Sequence, residues 1–223
     1  MIPQRNIHLL YQDEAVAVVE KPGGLLAVPG RGPDKQDSVV SRLKQMLPWC
    51  IEQPAVHRLD MDTGGLMVLG LTREAHRHLS MQFAERRVTK KYLALLDGII
   101  ARAAGEISLP FRLDPERRPY QVYDPVQGKV GVSRWRKLDV REGRTLVEFI
   151  PLTGRTHQLR LHSSHPLGLG CPIVGDRLYG SGILGQPLML HATRLRFQHP
   201  ATGELMEFFS AAPFCRDVFG PER

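Results

Sequence analysis

A strongly apolar run between positions 66 and 71 is the feature that most constrains how this chain can fold. Five of its six residues are large and apolar, which predicts a buried strand. Gly64 and Gly65 precede the run, and glycines permit a sharp turn and the close approach of another backbone. The segment directly before them, 57–63, reads HRLDMDT and is dense in charge. We therefore expect a charged loop at the end of a buried strand, where functional residues are commonly found.

Apolar periodicity on both sides of this strand predicts further elements. Residues 15–19 form a valine-rich run that is typical of another buried strand. Asp37 or Ser38 can cap a helix that ends before Pro48, and Thr72 can cap a second helix. The remaining expected elements are a strand over 92–96 and two hairpins, over 133–152 and 194–209.

The stretch 111–129 is the exception to this regular pattern. It is polar, contains three prolines and shows little periodicity, so it predicts a long loop. Many strands in hairpins with few helices predict an α+β fold. Its core is expected to be a mixed, mostly antiparallel β-sheet with flanking helices and loops.

Charge and cysteine content narrow the class of partner and the compartment. The formal net charge is +7, which favours a polyanionic partner such as nucleic acid. Cys50, Cys171 and Cys215 form no C-x-x-C spacing, so the sequence predicts neither a disulfide framework nor a zinc site. The start of the chain lacks a signal-peptide core, and no apolar run approaches the roughly 18 residues of a membrane span. A reduced, cytoplasmic setting without a membrane is expected.

A second dense stretch, PLTGRTHQLRLH, covers residues 151–162. Gly154 permits an abrupt change from strand to helix, and on a helix His157 and Arg160 would share a face. The three histidines at 157, 162 and 165 raise the possibility of a metal site. Their spacing does not match H-E-x-x-H, and no carboxylate follows before Asp176, so the sequence predicts no metal.

Taken together, these stretches resemble the pseudouridine synthases of the RluA type. The motifs are HRLDMDTGG at 57–65 and LTGRTHQLRLH at 152–162, with KPGGLLAVPGR, KKY, GDRLYG and LHA in the same order as in that family. The resemblance covers about residues 11–213 and implies the pseudouridine synthase fold, with a central active-site cleft. It also implies a single catalytic domain over 1–223 without an N-terminal S4-type RNA-binding domain. Gly64 is a departure, because the family usually has serine there.

The resemblance also implies a reaction and the residues that perform it. The family breaks the N-glycosidic bond of uridine, rotates the base and rejoins it through carbon, which requires no cofactor. Asp60 matches the catalytic aspartate, which acts as a nucleophile or as a base at the sugar. Arg160 matches the arginine that pairs with it, and Tyr92 matches the active-site tyrosine. Arg58 matches the residue that fills the gap left by the flipped uridine. The other substrate-binding candidates are His57, Arg155 and His157.

The expected substrates follow from the subgroup. The VPGR string and the absence of an N-terminal extension bring the chain closest to the RluA subgroup, which modifies both tRNA and large-subunit rRNA. We therefore expect action on uridine 32 of the tRNA anticodon stem-loop, on uridine 746 in a hairpin of 23S rRNA, or on both. Because no coiled-coil pattern or large apolar helix face is left over, a monomer is expected. The alternatives are a synthase for a different uridine, a non-catalytic RNA-binding protein, and a metal-dependent hydrolase built on the histidines.

Overall fold

The computed structural model describes residues 6–215. Over this range the chain divides into two compact units. The first contains residues 6–90 and 192–211, and the second contains 91–191 and 212–215. Within the described range, no helix is long and apolar enough to cross a membrane. The single catalytic domain expected over 1–223 stays a prediction.

Ten strands and three α-helices are present in the described part of the chain. The strands are β1 (His8–Gln12), β2 (Val16–Lys21), β3 (Gly64–Gly70), β4 (Thr89–Leu96), β5 (Ala104–Leu113), β6 (Gln121–Tyr123), β7 (Lys129–Arg141), β8 (Arg144–Pro151), β9 (Leu190–Gln198) and β10 (Leu205–Phe209). The helices are α1 (Val39–Met46), α2 (Arg73–Ala84) and α3 (Gln158–Ser164). This composition confirms the predicted α+β class.

The first unit is organised around β3, whose seven residues are all buried. Its strand order is β1-β2-β3-β9, and β10 pairs with β9. The pairs β1–β2, β2–β3 and β9–β10 are antiparallel. Gly65 has a φ of +110°, and a Cβ atom there would lie 2.3 Å from the carbonyl oxygen of Ala192. The predicted close backbone approach at the glycine pair is therefore confirmed.

Both predicted helix caps of the first unit are confirmed. The Ser38 hydroxyl accepts a hydrogen bond from the N–H of Ser41 at 3.1 Å, and the Ser41 hydroxyl accepts one from the N–H of Ser38. This reciprocal pair is a capping box. The Thr72 hydroxyl likewise accepts from the N–H of Ala75 at 3.1 Å. These bonds provide acceptors for N–H groups that the first helical turn leaves without partners.

The second unit contains a sheet of order β4-β8-β7-β5-β6, and each neighbouring pair in it is antiparallel. The predicted hairpin of β7 and β8 is confirmed. Its turn residues, Glu142 and Gly143, have φ values of +49° and +74°. Two successive positive φ values suit the right-handed twist of the strands that a tight hairpin joins.

The long loop predicted over 111–129 is partly wrong. Strand β5 continues to Leu113, and β6 pairs with it through Phe111 opposite Tyr123 and Leu113 opposite Gln121. The irregular part is limited to residues 114–120 and 124–128. Strand β6 has only three residues between two proline-containing turns, so its pattern is too short to show a period of two.

Candidate active site

The charged segment 57–63 forms a short hydrogen-bonded turn before β3 in the first unit. The N–H of Thr63 donates to the carbonyl oxygen of Asp60 at 3.1 Å, and β3 begins at the next residue. Asp60 is half-buried, whereas Arg58 is exposed. The turn thus fixes the backbone at Asp60 and after it, while part of that residue remains accessible.

A buried lysine that the sequence analysis did not single out supports this turn. Lys21, the last residue of β2, has no exposed surface. Its Nζ donates to the carbonyl oxygens of Pro22 at 3.0 Å, Leu25 at 2.6 Å and Met61 at 2.7 Å. The N–H of Gly24 also donates to the Met61 carbonyl, at 2.9 Å. The Met61 carbonyl and the Lys21 ammonium therefore join the connection after β2 to the Asp60 turn.

The charge of Lys21 also acts on the acidic side chains of the turn. Burial lowers the pKa of Lys21 to about 7, and the carboxylates of Asp62 and Asp60 oppose that shift. Because three carbonyl oxygens surround Nζ, they match the three donors of the ammonium form. The Lys21 ammonium and the carboxylates of Asp62 and Asp60 therefore attract each other, which favours the charged form of the lysine.

His57, predicted to bind substrate, is anchored by contacts inside the first unit. Its Nε2 accepts a hydrogen bond from the N–H of Val68 in β3 at 3.1 Å. Its ring stacks on Phe83 of α2, with ring centroids 4.6 Å apart. Burial, together with the charge of Lys90, lowers the pKa of His57 to about 3. The ring is therefore neutral at physiological pH and ties the turn to β3 and α2, and its role in RNA binding stays a prediction.

In the second unit, the four predicted site residues lie on β4 and around the start of α3. Tyr92 is a buried residue of β4 and pairs with Phe149 of β8. Arg155 is exposed, and its N–H donates to the side-chain carbonyl of Gln158 at 3.0 Å. The catalytic role of Tyr92 and the substrate-binding role of Arg155 stay predictions.

The prediction that His157 and Arg160 share a helical face is wrong. His157 precedes α3 and has a left-handed conformation, with φ 56° and ψ 16°. The helix begins only at Gln158, whose side chain binds the preceding turn through the Thr153 hydroxyl at 2.7 Å. Across residues 6–215, no group of three or more His, Cys, Asp and Glu side chains is arranged to hold a metal ion.

Arg160 forms a buried ion pair with an acid that the sequence analysis considered only as a metal ligand. Its Nε lies 2.8 Å from Oδ2 of Asp176 and its Nη2 lies 2.6 Å from Oδ1. The two side chains are 3% and 0% exposed. Burial raises the pKa of Asp176, but the hydrogen bonds and charge of Arg160, together with the backbone N–H donors of Tyr179 and Leu178, hold the pKa below its usual value.

This pairing could not be read from spacing, because the two residues are 16 positions apart. The sequence feature that points to Asp176 is its place in the motif GDRLYG, which is also part of the family resemblance. A guanidinium carries five N–H donors, so the bidentate pair with Asp176 does not use all of its bonding capacity. The predicted pairing of Arg160 with Asp60 stays a prediction.

Comparison with known proteins gives one consistent result. A sequence model of the family described as RNA pseudouridylate synthase matches residues 15–165. The dual-specificity RNA pseudouridine synthase RluA of Haemophilus influenzae is 42% identical over 212 residues, which are 93% of this chain and 94% of that protein. RluA of Escherichia coli is 41% identical over 210 residues, covering 92% and 93%.

Solved structures agree with the sequence comparison. Human RNA Pseudouridylate Synthase Domain Containing 1 is 31% identical with a TM-score of 0.75, covering 97% of this chain and 89% of that one. Human RNA Pseudouridylate Synthase Domain Containing 4 is 28% identical with a TM-score of 0.72, covering 92% and 88%.

Proposed function

Because this chain belongs to the RNA pseudouridylate synthase family and is an RNA pseudouridine synthase of the RluA type, we propose that Asp60 carries its isomerisation chemistry. The observation that supports this proposal is the hydrogen-bonded turn that holds Asp60 within HRLDMDTGG, directly before β3. The carboxylate acts as a nucleophile or as a base at the sugar. Either role requires the ionised form of the carboxylate.

The proposed substrates are structured RNA hairpins. They are uridine 32 in the tRNA anticodon stem-loop and uridine 746 of 23S rRNA. Two observations support this choice: the relatives are named dual-specificity RNA pseudouridine synthases, and this chain carries a net charge of +7. A different rRNA or tRNA uridine is the alternative. A cytoplasmic location and a monomeric state belong to the same proposal.

Further residues are proposed to assist Asp60. Arg160 keeps the catalytic carboxylate ionised and oriented, and Tyr92 packs on the base or assists removal of the proton from carbon five. The residues proposed to bind substrate are Arg58, His57, Arg155 and His157. The non-catalytic and metal-dependent alternatives are set aside, because the chain belongs to a family of isomerases and retains Asp60.

Replacement of Asp60 by asparagine tests the proposal directly. Asp60→Asn keeps the shape of the side chain and removes its charge, so it can act neither as nucleophile nor as base. We expect release of tritium from uridine labelled at carbon five to fall by at least about a thousandfold, roughly 4 kcal/mol of barrier. Binding of the anticodon stem-loop and thermal stability are expected to stay near wild type.

Asp62→Asn is the matched control, because it makes the same chemical change two positions away in the same turn. Its activity should stay within about tenfold of wild type, roughly 1.4 kcal/mol. Comparable activity of Asp60→Asn and Asp62→Asn would remove Asp60 from the mechanism.

A further inference from the structure

Tyr179 is a residue of the second unit to which the proposed mechanism gives no role, although it lies beside the buried ion pair. It follows Asp176 by three positions in GDRLYG. The Tyr179 N–H donates to Oδ1 of Asp176 at 3.0 Å, and the Leu178 N–H donates to the same oxygen at 2.9 Å. The carboxylate that binds Arg160 therefore also fixes the backbone from which the Tyr179 side chain extends.

The ring of Tyr179 lies against the guanidinium of Arg160. The guanidinium carbon is 5.2 Å from the ring centroid, a distance typical of a cation–π contact. Arg160 is 3% exposed, so this contact is shielded from water and stronger than one at a surface. Asp176 and the Tyr179 ring thus contact the same guanidinium.

The hydroxyl of Tyr179 joins two other segments of the unit. It accepts a hydrogen bond from the N–H of Gln121 at 2.7 Å, and it lies 2.8 Å from Nδ1 of His157. A phenol has one donor and can accept more than one hydrogen bond, so both contacts are satisfied together. Gln121 is the first residue of β6, and His157 is the residue before α3.

Gln121 directly follows a segment that carries exposed positive charge. We call residues 114–120, DPERRPY, the arginine loop. Arg117 and Arg118 are exposed in it, and Arg117 is tethered by an Nε contact of 2.9 Å to Asp114. The loop returns to the sheet at Gln121, where the Tyr179 hydroxyl is bound. Because the Asp114 carboxylate partly neutralises Arg117, Arg118 is the arginine of this loop best suited to contacting a phosphate.

We propose that Tyr179 is a positioning residue that acts through two separate parts of its side chain. The ring orients the guanidinium of Arg160, and the hydroxyl sets the position of the arginine loop. This inference rests on the proposed function, since it assigns Arg160 to the reaction and the loop to RNA. Its consequence is that the two parts affect different kinetic constants.

Two substitutions separate these parts. Tyr179→Phe removes both hydroxyl contacts but keeps the ring, so KM for the anticodon stem-loop should rise about tenfold while kcat stays within about twofold, as expected for loss of binding alone. Tyr179→Leu also removes the ring, so kcat should fall at least about tenfold further. Tyr11→Phe is the matched control: it loses one comparable hydrogen bond, to Asp13 at 2.8 Å in the first unit.

Several outcomes would overturn the proposal. One is a wild-type KM for Tyr179→Phe; another is equal loss of kcat in both variants. A fall in melting temperature with unchanged kcat and KM would show a purely structural role and would also overturn it. If Tyr179→Leu does not fold, Tyr179→Phe decides alone, through its KM. Asp60→Asn in the same assay reports separately on the proposed function, because full activity of that variant would contradict the mechanism while leaving the Tyr179 comparison readable.

Discussion

His162 lies inside α3 with none of its surface exposed. Neither of its ring nitrogens has a hydrogen-bond partner among the residues that the structure describes. Its ring contacts Phe111 edge to face, with centroids 6.0 Å apart. Burial lowers the pKa of His162 to about 4, and a backbone contact with Gly131 opposes that shift only in part. Protonation of this residue therefore destabilises the packed second unit.

The low pKa of His162 predicts a defined dependence of stability on pH. In the unfolded chain the histidine has an ordinary pKa of about 6.5, so between pH 6.5 and 4 the unfolded state binds more protons than the folded state. Its favourable contribution is complete above pH 6.5 and is lost as the pH falls, up to about 3 kcal/mol. Urea unfolding of wild type and of His162→Phe at pH 7.5 and pH 5 measures this difference.

The control for that experiment is His8→Gln, which changes an exposed histidine of β1. It should lose as much stability between pH 7.5 and 5 as wild type does, whereas His162→Phe should lose less. If all three proteins lost stability equally, titration of His162 could not be the cause.

At the scale of elements, Lys21 links the connection after β2 to the turn that carries Asp60. Its three acceptors are backbone carbonyls of Pro22, Leu25 and Met61. Removing the ammonium would take the donor from the carbonyl of buried Leu25, at a cost of about 1–3 kcal/mol, whereas the Met61 carbonyl would keep the N–H of Gly24. A lysine with no surface exposed is thus a structural requirement of the turn as well as a neighbouring charge.

Lys21→Met tests this linkage, because methionine fills most of the space and donates no hydrogen bond. We expect the free energy of unfolding to fall by about 1–3 kcal/mol. Amide hydrogen exchange over residues 57–63 should accelerate beyond what the global change explains, and kcat should fall with it. The matched control is Lys35→Met, which removes an exposed lysine and should change stability by less than about 0.5 kcal/mol. Unchanged exchange in the Asp60 turn would show that Lys21 does not hold it.

Local signals in the sequence predicted the elements best. The caps at Ser38 and Thr72 and the turn at Gly143 are set by a few neighbouring residues, and the structure confirms all three. Strand β5 was missed because Pro110 and a glycine interrupt its pattern; its place in the sheet comes from pairing with β7. The Arg160–Asp176 pair could not be predicted either, because only the folded chain brings those two side chains together.

At the scale of the whole molecule, the net charge of +7 is the property that acts on RNA at a distance. Part of it lies on α2, where Arg73 and Arg77 are exposed, and Arg86 follows the helix. Lys90, the next lysine along the chain, is half-buried, and burial lowers its pKa. Its ammonium lies 5.7 Å from the ring centroid of Phe83. We therefore expect the three arginines, and not Lys90, to contact phosphates.

This assignment predicts that RNA affinity falls steeply with salt. Each phosphate contact contributes roughly −0.7 to −0.9 to the slope of log affinity against log salt, so Arg73→Gln with Arg77→Gln should reduce its magnitude by about 1.4 to 1.8. Binding of the anticodon stem-loop across a potassium chloride series measures the slope. The control is Arg134→Gln, which changes an exposed arginine of β7 that lies 3.2 Å from Glu106. Because the Glu106 carboxylate already partly neutralises Arg134, the salt slope of this variant should stay near that of wild type.

The same charges cannot select a uridine, because phosphates carry no sequence information, and selection must come from the unpaired loop of the hairpin. Tritium release from the stem-loop should therefore exceed that from an unstructured uridine-rich strand at every salt concentration. A slope indifferent to the α2 arginines would contradict the phosphate assignment. Equal rates on the two RNAs would instead contradict hairpin recognition and leave the role of Asp60 untouched.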